Sequence, residues 1–200
     1  MHDTELVPYK VEAREDTGLY NAKFGLWLFL ASEIMLFGSL FSAYILLRVG
    51  SFSWPQQSDY LNVPIGALNS VILLSSSIFF IRAWVALKAD DLAKYKRLMW
   101  WVISLAGLFL FFKGIEYYQH FSRQEYPKTS VFLALYFLLT GLHALHILAG
   151  IGINIYYAGP GTRLRTINKQ WFINRLEVAG LYWHFVDIIW IFLFSILYLL

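Results

Sequence analysis

Cysteine is absent from all 200 residues, which excludes disulfides, zinc–thiolate sites, iron–sulfur ligation and thioether attachment of haem together. Charge is scarce as well. Only 14% of the residues are charged, against 58% hydrophobic and 19% aromatic, and the mean hydropathy is +0.54. A water-soluble domain carries roughly 25% charged residues, so this composition is that of an integral membrane protein. The opening "MHDTELVPYKVEAREDTGLYNAK" is mixed in charge and lacks the apolar core of a cleavable signal. No targeting peptide is read there, and the first spanning helix is expected to be its own insertion signal. No internal repeat, low-complexity tract or separate soluble domain is found.

What the chain does contain is five long apolar runs, near 24–47, 63–87, 98–118, 130–157 and 178–200. A hydrocarbon core about 30 Å thick needs roughly 20 helical residues, and each run is long enough. Leu, Ile and Phe occur on all sides of these runs, whereas strands of a membrane barrel would be about half as long and would alternate. The expected fold is all-α: a bundle of five transmembrane helices over 24–200, preceded by a cytoplasmic arm over 1–23. Polar connections such as "SFSWPQQSDYLNVP" and "YAGPGTRLRT" carry the turn formers.

Orientation is read from lysine and arginine, which are retained on the cytoplasmic side. Lys10, Arg14 and Lys23, then Lys88, Lys94, Lys96 and Arg97, then Arg163, Arg165, Lys169 and Arg175 fall on one side. Only Arg48, Arg123 and Lys128 fall on the other, with Arg82 and Lys113 inside helices. The amino terminus is therefore expected inside and the carboxyl terminus outside. Because the basic residues are divided among several loops, the net charge of +3 points to anionic lipid headgroups, with no nucleic-acid partner.

The ionisable residues at membrane depth are Glu33, Lys113, Glu116, His143, His146, His184 and Asp187. From the apolar runs, Glu33 and Asp187 each lie about 13 Å from the cytoplasmic end of their helix, and His146 about 16 Å from that end of its own. Three helices are thus expected to bring protonatable groups to one level. His143 with His146, His184 with Asp187, and Lys113 with Glu116 are each three apart, so each pair shares a helix face, and the last two are expected to pair internally. Buried polar residues act by default as interhelical packing partners, and His143, His146, His184, Asp187, Lys113 and Glu116 are read that way. Glu33 has no cationic neighbour on its own helix. It stays open between a proton-exchanging carboxyl and a simple hydrogen-bonding group, pending a partner from another helix.

A haem between two helices asks for facing histidines, for which His146 and His184 give only a weak signal. A diiron site would need Glu-x-x-His elements, and Glu116 is followed by His120 at four, the wrong spacing. The one His-x-x-His lacks the Glu and third ligand of a zinc site. No nucleotide loop or nucleophile–base pair stands out, so no catalytic, cofactor or metal residue is assigned. A small transporter using the polar seam, or a free-standing haem-binding electron carrier, remain the competing classes; the lack of broken helices counts against the first.

Four stretches carry a resemblance: "GLWLFLASEIMLFGSLFSAY" at 25–44, "KGIEYYQHF" at 113–121, "TGLHALHILAG" at 140–150 and "YWHFVDIIWIFLFSILY" in the last helix. In this order they resemble subunit III of the haem–copper cytochrome c oxidases, in its five-helix bacterial form. The resemblance implies a non-redox accessory subunit of a proton-pumping respiratory complex. It would pack beside catalytic subunit I, stabilise it through repeated turnover and support proton uptake as oxygen is reduced to water.

Carried over by residue, Glu33 in "ASEIMLFG" matches the family's buried glutamate, the carboxyl implicated in proton uptake. Glu116 in "IEYY", His143 and His146 in "GLHALH", and Trp183, His184 and Asp187 in "YWHFVD" match signatures whose roles are structural. The implied partners are oxidase subunits I and II, a small subunit IV and membrane lipids. Haems and copper belong to the partner subunits, leaving this chain with no cofactor beyond bound phospholipid. The larger form of the family has seven helices and a lipid-holding cleft; the five here match its last five. Five-helix relatives also serve quinol oxidases and accompany nitric oxide reductases. Cytochrome c is favoured as the electron donor, and a bacterial plasma membrane as the location.

Overall fold

A helix start leaves backbone N–H groups without partners, and four of the five long helices begin where a polar side chain accepts one. Asn62 accepts from the Ile65 N–H at 3.2 Å, and Asp91 from that of Lys94 at 2.9 Å. Ser130 takes the Leu133 N–H at 3.1 Å and Asn168 that of Trp171 at 2.9 Å. The computed structural model describes residues 18–200, apart from the side chains of Ser58 and Asp59. Lys10, Arg14 and the arm over 1–17 lie outside the described residues.

The five long helices, called first to fifth here, are Asn21–Val49, Val63–Lys88, Leu92–Ser122, Val131–Ala158 and Lys169–Phe194; the last continues as a π-helical turn, Ser195–Leu199. All five are long and apolar enough to cross a membrane. The third begins six residues, and the fifth nine, before its apolar run. Hydropathy marks where lipid begins, whereas the helix is started by its cap, and the polar turns after Asp91 and Asn168 stay helical. Short helical pieces, Gln57–Tyr60, Pro160–Arg163 and Leu164–Ile167, occupy the first and last connections.

Large side chains set against small ones bring the helices together, as they must where lipid removes the hydrophobic drive for helix association. A Cβ added at Gly150 would stand 2.6 Å from the Trp183 ring, and one at Gly180 2.6 Å from the Phe80 ring. The fifth helix is the hub, packing on the first, second and fourth; the second and third form a closely packed hairpin. That hairpin turns at Asp90, whose φ of 64° is left-handed, and the Asp90 carboxylate is held by Arg165 from the connection after the fourth helix and by Lys169 at the start of the fifth.

The first helix is peripheral. It buries only Leu30, Phe37 and Tyr44, one residue every seven, which is a single narrow seam. Lys23 ties its start to Glu177 of the fifth helix at 2.6 Å. Outside the seam it presents Trp27, Ile34, Met35 and Leu46 outward, as a helix solvated by acyl chains does. The interior is correspondingly polar in places: Asn69, Ser76, Lys113, Glu116, His120, Thr140, His143, Asn154 and Asp187 are buried.

Candidate functional site

Glu33 sits twelve residues into the first helix and His146 twelve residues before the end of the antiparallel fourth. Each is therefore about 18 Å from the same end of the bundle. They meet. His146 Nε2 lies 3.0 Å from Glu33 Oε2, with side chains 14% and 13% exposed. The fourth helix thus supplies the partner that the first helix lacks.

The other ring nitrogen decides the chemistry of this contact. His146 Nδ1 donates to the Leu142 carbonyl oxygen at 2.8 Å, and since a carbonyl only accepts, Nδ1 carries a proton. Nε2 and the Glu33 carboxyl then share one further proton. It rests either on the carboxyl beside a neutral imidazole or on an imidazolium beside a carboxylate. Both arrangements have zero net charge, so the proton can shift between the two groups without leaving an uncompensated charge in the membrane. The edge of Phe37 supports the ring, with centroids 5.4 Å apart, and the Tyr182 hydroxyl donates to the His146 carbonyl at 3.0 Å.

Asp187 does not join this level. What the fifth helix brings to His146 is Tyr182, and Asp187 lies five residues, about 7.5 Å, further toward the opposite side. Nor do His184 and Asp187 pair with each other. His184 Nδ1 is hydrogen-bonded to the Ser77 hydroxyl of the second helix, and its ring stands edge-on to Phe80. The Asp187 carboxyl oxygens are buried and have no hydrogen-bonding partner among the described residues. The interhelical role expected of His184 is therefore met by a serine on another helix. His143 faces away from His146 into the core, stacked on Trp190 at 5.3 Å and edge-on to Phe109 at 5.8 Å. Trp183 and Trp190 donate to Ser76 and Ser70 of the second helix at 3.1 and 3.0 Å.

A second cluster lies toward the opposite end. Lys113 donates to Glu116 Oε2 at 3.2 Å, as the spacing leads one to expect, and also to the hydroxyls of Tyr136 at 3.2 Å and Tyr198 at 2.7 Å. Both tyrosines in turn donate to Glu116 Oε1, at 2.6 and 2.5 Å. Third, fourth and fifth helices are locked by one neutral, satisfied network. A polar pocket of about 300 Å³, lined in part by Asn62, Gln119 and Arg123, reaches Glu116 from that end, with His120 held beside it by Glu125 at 2.6 Å. Among the described residues no three His, Asp or Glu side chains gather as a metal site would require.

Tyr136, Tyr198, Tyr182, Ser70, Ser76 and Ser77 are contributors that sequence reasoning missed. The signal was partly present: Tyr136, Thr140, His143, Ile147, Gly150 and Asn154 recur at alternating steps of four and three and form the buried stripe of the fourth helix. The serine run at 75–77 is likewise unusual in an apolar helix.

The family model described as cytochrome c oxidase subunit III matches residues 16–200. The chain belongs to the cytochrome c oxidase subunit III family. It is 35% identical over 176 residues to the cytochrome c oxidase subunit 3 of Thermostichus vulcanus, covering 88% of this chain and 86% of that one. With the cytochrome c oxidase subunit 3 of Alkalihalophilus pseudofirmus it shares 30% identity over 185 residues, 90% and 87% of the two chains. It is also 32% identical over 183 residues to the cytochrome bo(3) ubiquinol oxidase subunit 3 of Pseudomonas aeruginosa, covering 90% and 85%. Membership makes this chain an accessory subunit III of a haem–copper oxidase, a multi-pass membrane protein that associates with other oxidase subunits. Both clusters fall inside the matched span.

Proposed function

We propose that the chain packs against catalytic subunit I of a cytochrome c oxidase in a bacterial plasma membrane, amino terminus inside. There it stabilises subunit I through repeated turnover and supports proton uptake at the cytoplasmic mouth of its proton pathway. Subunits I and II, and a small subunit IV, are the partners in this reading; they carry the haems and copper, and this chain holds none. The observation that carries it is the Glu33–His146 link. It holds one exchangeable proton between Glu33 of the peripheral first helix and His146 of the fourth, each partly exposed and about 18 Å from the end that also bears Lys23, Lys88 and Arg175. The accumulation of basic residues at that end supports its being cytoplasmic.

The test is a Glu33→Gln variant in the assembled oxidase. The amide keeps a hydrogen bond but cannot exchange the proton with His146. With haem spectra showing normal assembly, the variant is expected to take up protons more slowly and to inactivate after several-fold fewer turnovers. Unchanged turnover, proton stoichiometry and working lifetime would remove Glu33 from the pathway. A second reading, ubiquinol as donor, is favoured by the likeness to the Pseudomonas aeruginosa protein. Oxidation of reduced cytochrome c against ubiquinol by the purified complex separates the two.

A further inference from the structure

The hairpin of second and third helices carries a feature that neither cluster uses. Arg82 lies six residues before the end of the second helix and Arg97 five residues after the start of the third, so both sit about 8 Å inside the same end of the bundle. They line one groove of about 520 Å³ together with Lys94. None of the three cationic groups has an ion pair or hydrogen-bonding partner among the described residues, and all three are exposed. The one carboxylate in the groove, Asp91, is engaged at its own helix start, accepting the Lys94 N–H at 2.9 Å. The groove is left with an excess of positive charge.

Its wall is not that of a site for a soluble anion. Ile81, Val85 and Leu98 run along the groove below the cations, Ile81 and Val85 are exposed, and both helices are long and apolar enough to cross a membrane. A guanidinium on a lipid-facing surface at this depth turns its charge up toward the headgroup level while its stem stays in the hydrocarbon. An amphiphile satisfies both parts at once, its phosphate between the two arginines and its acyl chain along the apolar wall. Arginine matches phosphate with paired, charge-assisted hydrogen bonds. We infer that the groove between the second and third helices binds one anionic phospholipid from the surrounding bilayer, with Arg82 and Arg97 holding the headgroup phosphate and Lys94 closing the mouth. The inference does not depend on the proton-uptake reading.

The experiment titrates the full chain, purified with whatever subunits accompany it and stripped of lipid, with dioleoylphosphatidylglycerol or dioleoylphosphatidylcholine, and counts bound lipid by native mass spectrometry. Each basic residue near an anionic headgroup contributes about fivefold in affinity, so Arg82→Gln with Arg97→Gln is expected to weaken the tightest phosphatidylglycerol site about 25-fold and leave phosphatidylcholine unaffected. Ala89→Glu, which brings a carboxylate to the exposed groove rim without touching the arginines, is expected to do the same. Lys88→Gln with Lys96→Gln removes two charges at the same end but outside the groove, and is expected to change little. The proposal is overturned by phosphatidylglycerol binding that survives both groove variants, as when a partner subunit covers the groove. Equal affinity for phosphatidylcholine overturns it too, as does an equal loss in the Lys88 and Lys96 variant, which would mean diffuse surface attraction. Displacement of the lipid by millimolar inorganic phosphate would mark a site for a free anion instead.

Discussion

Replacing Lys113 by Met tests whether the network of Lys113, Glu116, Tyr136 and Tyr198 holds three helices together. Lys113 and Glu116 are 5% and 6% exposed, so neither charge is relieved by solvent. Removing one partner of a buried ion pair costs about 3–5 kcal/mol, chiefly because the other is left uncompensated. In Lys113→Met the carboxylate keeps its two tyrosine donors at 2.6 and 2.5 Å, which places the loss near the lower bound, about 3 kcal/mol. Glu116→Gln leaves the ammonium with the Tyr136 and Tyr198 oxygens at 3.2 and 2.7 Å and is expected to cost a similar amount. The double variant strands no charge and is expected to cost about 3 kcal/mol, well short of the additive 6, a coupling of about 3 kcal/mol. The assay is reversible unfolding of the full chain in mixed micelles by added dodecyl sulfate, followed by far-ultraviolet circular dichroism. Singles that each cost below about 1 kcal/mol, or a double equal to their sum, would refute the claim that the two charges are held by each other.

Gly150→Ala is expected to destabilise by about 1–3 kcal/mol in the same assay, because its Cβ would stand 2.6 Å from the Trp183 ring and the core must shift. Gly152→Ala, two residues on with nothing within 4 Å, should be neutral or slightly stabilising by helix propensity; equal effects at both positions would contradict the packing. Asp90 has its carboxyl held below the usual aspartate range, first by hydrogen bonds from Lys169 and then from Arg165. A depressed folded-state value stabilises fully above the ordinary value near 3.9 and is lost as pH falls through the lower, folded one. Melting temperatures of the parent and Asp90→Asn should thus differ at pH 6 and converge in strong acid; Asn also tolerates the left-handed φ of 64°, so the comparison isolates the charge. A difference that persists below both values would show that the clasp is not electrostatic.

Much was legible because lipid imposes simple rules. A run of apolar residues long enough to cross must be helical, since no water is there to satisfy a bare backbone, so five helices follow from the sequence alone. Lys113 and Glu116 were legible for the same local reason: a spacing of three puts both on one face whatever the rest of the chain does. That logic failed for His184 and Asp187, where the spacing was right but Ser77, 107 residues away, takes the imidazole. Glu33 and His146 are separated by 113 residues, and no periodicity links positions on different helices. Their meeting is set by the seam of Leu30, Phe37 and Tyr44, which fixes the rotation and height of the first helix against its neighbours. The sequence by itself determined the solvent, the number of spans and the inventory of buried polar groups, because these depend on composition and on rise per residue. Only the tertiary structure decided which of those groups face one another, since helix rotation, height and crossing are settled by packing between helices and by nothing within any one of them.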